Sequence, residues 1–147
     1  MQNTGVFGNT AAVVWTKFSE GPMLRSILAV IISIVTWFVV ATVGNWLLRA
    51  FLPGYSEVET DMLFTLPMQF ARLALGLISS LLAGLICASI AKRGSHAPKV
   101  VAIILVLMFI PVHYSLWPKF PLWYHLFFLI TLGPAVLLGA ALKVNSK

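Results

Sequence analysis

The sequence predicts an all-α membrane protein, a bundle of four transmembrane helices with both termini on the cytoplasmic side. Of its 147 residues, 60% are hydrophobic and only 10% are charged, and the apolar residues fall into four long runs. Soluble proteins carry about 25% charged residues, so this chain has too few charges to cover a soluble surface. Apolar runs of about 18 residues or more are long enough to cross a bilayer as helices.

The four predicted spans differ in length. They cover about residues 26–48, 63–91, 100–117 and 122–142 of a single membrane domain, residues 1–147, in which residues 1–22 form a cytoplasmic tail. The second helix is long enough to project past the membrane, whereas the third is barely long enough to cross it. The connections after the first loop are too short to hold another domain.

The basic residues predict the orientation, because loops rich in Lys and Arg stay in the cytoplasm. One side of the membrane receives only Arg49 and Lys119, with Arg72 inside a helix. The other side receives Lys17, Arg25, Lys92, Arg93, Lys99, Lys143 and Lys147. The formal charge of +6 therefore reflects topology, and without a basic stripe or a known motif we expect no nucleic-acid binding.

Two segments in the second half of the chain carry a family resemblance. They are GLICASIAKR, Gly84 to Arg93, and FPLWYHLFFLITLGPAVLLGAAL, Phe120 to Leu142. Together they resemble a group of small bacterial membrane proteins with four spans and no established activity, over roughly the last eighty residues. This chain departs from that pattern in the longer turn IPVHYSLWPKFPLWYH. The resemblance implies a multi-pass protein of the bacterial inner membrane and implies no activity.

The second helix carries a small residue at every fourth position. This small-residue ridge consists of Gly76, Ser80, Gly84 and Ala88. Small side chains let two helix backbones approach closely, and such packing drives helix association in lipid. The ridge therefore predicts a helix-packing face, although small residues are common in transmembrane helices generally.

Polar residues inside the membrane are the best indicators of function in such a chain. At about 1.5 Å per residue from the cytoplasmic ends, Asn45 and Arg72 lie roughly 30 Å up, near the outer edge of the hydrocarbon. Arg72 shares its helix face with the small-residue ridge. It is therefore predicted to bind a lipid or another polar group within the bundle, together with Asn45, or to extend towards the headgroups.

Two histidines flank the turn between the third and fourth helices. Histidine ligates haem iron or chlorophyll magnesium and hydrogen-bonds quinones, so His113 and His125 are candidate cofactor-binding residues. A pair of structural histidines is the alternative. Their estimated heights differ by about 6 Å, one helical turn, which argues against a shared haem.

The motifs of common enzymes are absent. The chain contains no HExxH, GxSxG, P-loop or CxxC, so we expect no enzyme and no catalytic residue, and its single cysteine, Cys87, suggests no metal site. The leading hypothesis is an accessory or structural subunit, or an assembly partner, in a larger membrane complex with other transmembrane subunits. The alternatives are a subunit that binds haem, a chlorophyll-type pigment or a quinone for electron transfer or photosynthesis, and a protein that binds lipids or small molecules.

Overall fold

The computed structural model describes residues 21–145, which fold into a helical bundle. The helices are α1 (Pro22–Phe51), α2 (Tyr55–Glu59), α3 (Leu66–Ile90), α4 (Ala97–Ser115) and α5 (Leu122–Asn145). All but the short α2 are long and apolar enough to cross a membrane. The predicted fold class, an all-α bundle with four membrane-spanning helices, is confirmed. The predicted tail lies outside the described residues, apart from Gly21 and Pro22.

The longest helix is α1, with 30 residues, whereas α3 has 25 and is shorter than the predicted second span of residues 63–91. Two prolines explain the difference. Pro67 lacks the backbone N–H that a helix interior needs and is tolerated in the first turn, so α3 starts at Leu66 rather than near residue 63. Pro53 forces Leu52 into an extended conformation, which ends α1 at Phe51. The third span, α4, is the shortest, as predicted, with 19 residues.

The helix α3 is the centre of the bundle and packs most closely against α5 and then against α1. The contact with α5 depends on two glycines. An ideal Cβ atom placed on Gly84 would lie 1.9 Å from the carbonyl oxygen of Val136, and one on Gly139 would lie 2.0 Å from that of Leu81. Neither position leaves space for a methyl group, so the two backbones touch directly.

The other members of the small-residue ridge contact both neighbours of α3. A Cβ atom on Gly76 would lie 2.7 Å from Cε2 of Phe128 in α5. Ser80 faces α1, where the indole Nε1 of Trp37 donates a buried hydrogen bond of 3.0 Å to its hydroxyl oxygen. Ala88 lines a cavity near the end of α3. The predicted packing face thus lies inside this chain's own bundle.

The two ends of the bundle differ in charge. The basic end carries Arg25, Lys92, Arg93, Lys99 and Lys143. At this end the guanidinium of Arg25 donates to the carbonyl oxygen of Ile90, one of the carbonyls that the last turn of α3 leaves without a helical partner. The opposite end, called the cluster end here, carries every acidic residue of the described range: Glu57, Glu59 and Asp61.

Candidate functional site

Five side chains from α1, α2 and α3 form a continuous hydrogen-bonded group at the cluster end. This polar cluster consists of Asn45, Arg49, Tyr55, Glu59 and Arg72. The sequence predicted that Asn45 and Arg72 lie at the same height, and in the structure Nη1 of Arg72 lies 3.5 Å from Oδ1 of Asn45. The other three members were not predicted as site residues.

Tyr55 is the link between Asn45 and Arg72. Its hydroxyl donates to Oδ1 of Asn45 over 2.8 Å and accepts from Nη1 of Arg72 over 2.6 Å. The side chain reaches this position because the chain turns back sharply after α1 at Gly54, whose φ of 75° lies in the left-handed region that glycine tolerates. Tyr55 is fully buried as a result.

Glu59 joins Arg49 to the rest of the polar cluster through Asn45. Its carboxylate accepts from Nε and Nη2 of Arg49 at 2.6 and 3.0 Å and from Nδ2 of Asn45 at 2.9 Å. The hydrogen bond from Arg49 is the main reason that the pKa of Glu59 is lowered from its usual value. Burial raises the pKa of Tyr55, and the nearby Arg72 opposes that rise. Glu59 is therefore an anion and Tyr55 a neutral phenol at neutral pH.

Arg72 carries a positive charge that no carboxylate contacts directly. Its Nη1 donates to the neutral oxygens of Tyr55 and Asn45, and its Nε is buried without an acceptor. The guanidinium carbon lies 4.5 Å from the centre of the Phe64 ring, a cation–π contact. Two guanidinium groups and one carboxylate leave the polar cluster with one excess positive charge.

A cavity of about 180 Å³, called the inter-helix cavity here, lies between the polar cluster and the histidines. Aromatic rings form much of its wall, and its polar lining comes from Asn45, Arg72, His113 and Tyr124. A cavity of about 150 Å³ holds one benzene molecule, whereas pockets for drug-sized ligands occupy about 300–1,000 Å³. The inter-helix cavity is thus large enough for one ring or one small head group.

The two predicted histidines are in direct contact. Nδ1 of His113 lies 2.8 Å from Nδ1 of His125, and the residues are 5% and 1% exposed. The estimated height difference of about one helical turn did not predict this contact, because distances counted along straight helices ignore the reach of side chains across a tight turn. At this distance one Nδ1 donates and the other accepts.

Of the two histidines, only His113 lines the inter-helix cavity. His125 lies under Trp117, whose ring stacks on the imidazole at 5.1 Å between centroids, and its Nε2 is buried without a partner. A haem held by both rings needs an iron between them with two metal–nitrogen bonds of about 2 Å each. With the two Nδ1 atoms 2.8 Å apart, no metal ion fits between them, and the volume of the inter-helix cavity is below the range for drug-sized ligands.

Replacing either histidine with leucine is expected to cost about 1–3 kcal/mol of unfolding free energy, because the other imidazole keeps a buried nitrogen without its partner. The double variant His113→Leu/His125→Leu should cost less than the two single losses added together. Denaturant titration of the four proteins in micelles gives the coupling as a double-mutant cycle. Strictly additive losses would show that the hydrogen bond between the rings contributes nothing.

The structure brings Asn45 and Arg72 together and brings His113 to the same cavity, while the small-residue ridge extends away from it along α3. Among residues 21–145, no group of three or more His, Cys, Asp or Glu is placed to hold a metal ion. Sequence reasoning missed Tyr55, Glu59 and Tyr124. Two signals in the sequence could have found Tyr55 and Glu59. Pro53 and Gly54 predict a sharp turn that brings Tyr55 back towards Asn45. Arg49, an isolated basic residue, predicts an acidic residue nearby.

Comparison of the chain with family models, with curated proteins and with solved structures finds no match. The resemblance to small bacterial four-span proteins therefore stays a prediction from the sequence.

Proposed function

We propose that this protein binds the polar head of a lipid-soluble molecule in the inter-helix cavity, and that the head carries a carboxylate, a phosphate or a quinone carbonyl. The observation that carries the proposal is Arg72, a residue of the cavity lining whose buried Nε lacks an acceptor. Buried polar groups are nearly always hydrogen-bonded, so an unpaired donor at a cavity indicates a missing acceptor.

Charge supports an acceptor-bearing head. The Glu59 carboxylate is already bound by Arg49 and Asn45, so the positive charge of Arg72 is balanced only at a distance. An isolated charge in a low-dielectric environment is costly, and an oxygen-bearing ligand would offset that cost. Arginine is well suited to such a ligand because its planar guanidinium matches carboxylate and phosphate oxygens.

The lining of the cavity favours binding over catalysis. Its walls contain no serine, cysteine or carboxylate, so the usual nucleophiles are absent from its surface. The aromatic side chains of Trp37, Phe109 and Phe128 suit a ring or the start of an acyl chain. Within this proposal His113 and Tyr124 orient the head group by hydrogen bonding. The protein is not an enzyme in this view, and its cofactor or ligand is a quinone or a lipid.

The variant Arg72→Gln is expected to retain about tenfold less of the bound molecule, or less still. The reason is that hydrogen bonds to a charged donor contribute about 1.5–3 kcal/mol. Arg72→Lys should keep part of the binding, since it keeps the charge. Mass spectrometry of organic extracts from the purified proteins measures the molecule and identifies its head group.

Lys119→Gln is the matched control, because Lys119 is a cation at the same end that does not line the cavity and donates to the backbone oxygen of Asp61. This variant should retain the molecule. A wild-type protein without a bound molecule, or equal retention in Arg72→Gln, contradicts the proposal.

A role as an accessory subunit or assembly partner is the second candidate, and α1 supports it. Within the most apolar 18-residue stretch of α1, only 17% of the residues are buried, against 39% in the corresponding stretches of α3 and α5. Beyond its first turns, an apolar stripe at every fourth position of α1 faces outwards: Val35, Val39, Val43 and Leu47. A transmembrane helix of another subunit would pack along this stripe.

Chemical cross-linking in native membranes tests the second candidate through a cysteine introduced at Val39, with Cys87 replaced by alanine. We expect a specific cross-linked partner from Val39→Cys and none from Tyr114→Cys, which lies on α4 and is 81% exposed. The same products from both sites would indicate random collision. As part of this proposal, the positive-inside rule favours a basic end in the cytoplasm, and the resemblance to small bacterial four-span proteins favours the bacterial inner membrane.

A further inference from the structure

A second amphipathic site lies at the basic end, far from the inter-helix cavity. A groove of about 610 Å³ runs between α1 and the start of α4. Its apolar side consists of Ile27, Val30 and Ile31 of α1 with Val100 of α4. We call it the basic-end groove, because Lys92 and Arg93 line its other side.

Loose packing between α1 and α4 opens this groove. These two helices make far less contact with each other than α3 makes with α1 or α5. The loop after α3 bridges the gap: the hydroxyl of Ser95 lies 3.2 Å from that of Ser26 in α1 and accepts from the backbone N–H of Ala97. The loop therefore holds Lys92 and Arg93 at the mouth of the basic-end groove.

The electrostatics of the groove favour an anion. Lys92 and Arg93 are exposed at its mouth, and α4 starts there at Ala97. The dipole of α4 places its positive end beside these two side chains and adds to their attraction for a negative charge. Among residues 21–145, no acidic residue lines the groove, and the three acids of this range lie at the cluster end.

We propose that the basic-end groove binds an anionic phospholipid, whose phosphate contacts Lys92 and Arg93 and whose acyl chain lies along Ile27 and Ile31. An apolar channel beside a basic mouth matches the two parts of such a lipid. The groove also opens towards the hydrocarbon, since Ile27 and Ile31 are half exposed on the outer face of α1. This site does not depend on the inter-helix cavity or on Arg72.

The test uses the full chain in nanodiscs of phosphatidylglycerol mixed with phosphatidylcholine, with lipid retention measured by native mass spectrometry. Wild type should retain phosphatidylglycerol preferentially. Lys92→Gln and Arg93→Gln should each lower that retention by about fivefold, the usual effect of one basic residue near anionic lipid. Lys99→Gln, at the same end but outside the groove, should change retention by less than about twofold.

A matched pair of variants tests the part of the groove that is proposed to contact the acyl chain. Ile31→Trp fills the groove and should lower retention, whereas Ile32→Trp places the same ring on a neighbouring exposed position that does not line it. Thermal unfolding of each variant checks that it folds, and Ile27→Trp replaces Ile31→Trp if that variant does not.

Three results would overturn the proposal. An equal loss with Lys99→Gln would show diffuse attraction to the membrane surface. Full lipid retention in the folded Ile31→Trp variant would show that the acyl chain does not lie in the groove. Binding of inorganic phosphate that depends on Lys92 and Arg93, without a preference for phosphatidylglycerol over phosphatidylcholine, would assign the basic mouth to a free phosphate instead.

Discussion

Replacing Gly84 with alanine is expected to destabilise the bundle by about 3 kcal/mol or more, at the upper end of the effects of overpacking. The added methyl group would lie 1.9 Å from the carbonyl oxygen of Val136. A backbone oxygen in the middle of α5 cannot move aside without shifting the whole helix. The two helices must therefore separate, and the closest contact in the bundle is lost. Denaturant titration in detergent micelles, followed by circular dichroism, measures the change.

Gly44→Ala is the control, because its methyl group would meet the terminal methyl of Leu75 at 2.1 Å, which can rotate away. Its loss should stay below about 1 kcal/mol, since a flexible side chain absorbs the overlap. Gly139→Ala should resemble Gly84→Ala, because it meets the carbonyl oxygen of Leu81 in the reciprocal contact. Equal small losses at all three glycines would show that α3 and α5 do not pack backbone to backbone.

Replacing Tyr55 with alanine is expected to cost about 3–5 kcal/mol, the range for a buried aromatic residue. The ring is fully buried and packs against Phe64 with centroids 5.1 Å apart, while its hydroxyl joins Asn45 to Arg72. Tyr55→Phe removes only the hydroxyl and should cost about 1.5–3 kcal/mol, because it takes a hydrogen-bond partner from a charged group. The difference in unfolding free energy between Tyr55→Ala and Tyr55→Phe gives the contribution of the aromatic ring.

Tyr114→Ala is the matched control, since Tyr114 is 81% exposed and lies near the same end of the bundle. This variant should change the unfolding free energy by less than about 0.5 kcal/mol, as for most surface substitutions. The Tyr55 variants should also weaken ligand retention in the inter-helix cavity, because Arg72 loses the hydroxyl that positions it. A Tyr55→Phe protein as stable as wild type would show that the hydroxyl adds nothing to the polar cluster.

The sequence predicted part of the candidate site for a physical reason. Asn45 and Arg72 were placed at one height because the rise per residue of a membrane helix is nearly constant. The same count did not predict the contact of His113 with His125, whose side chains meet across a tight turn. Tyr55 and Glu59 escaped prediction because they lie on a five-residue helix in a loop, where no hydrophobic period fixes the position of a side chain.

The sequence alone determined the four apolar helices, their order and the separation of basic from acidic residues, since hydrophobic length and charge act locally along the chain. Only the tertiary structure decided which residues share a site. Three features depend on how helices distant in sequence pack against each other. They are the contact of Gly84 with Val136, the hydrogen bond of Tyr55 with Arg72 and the inter-helix cavity. Such contacts are set by the shapes of several helices together, and no single segment encodes them.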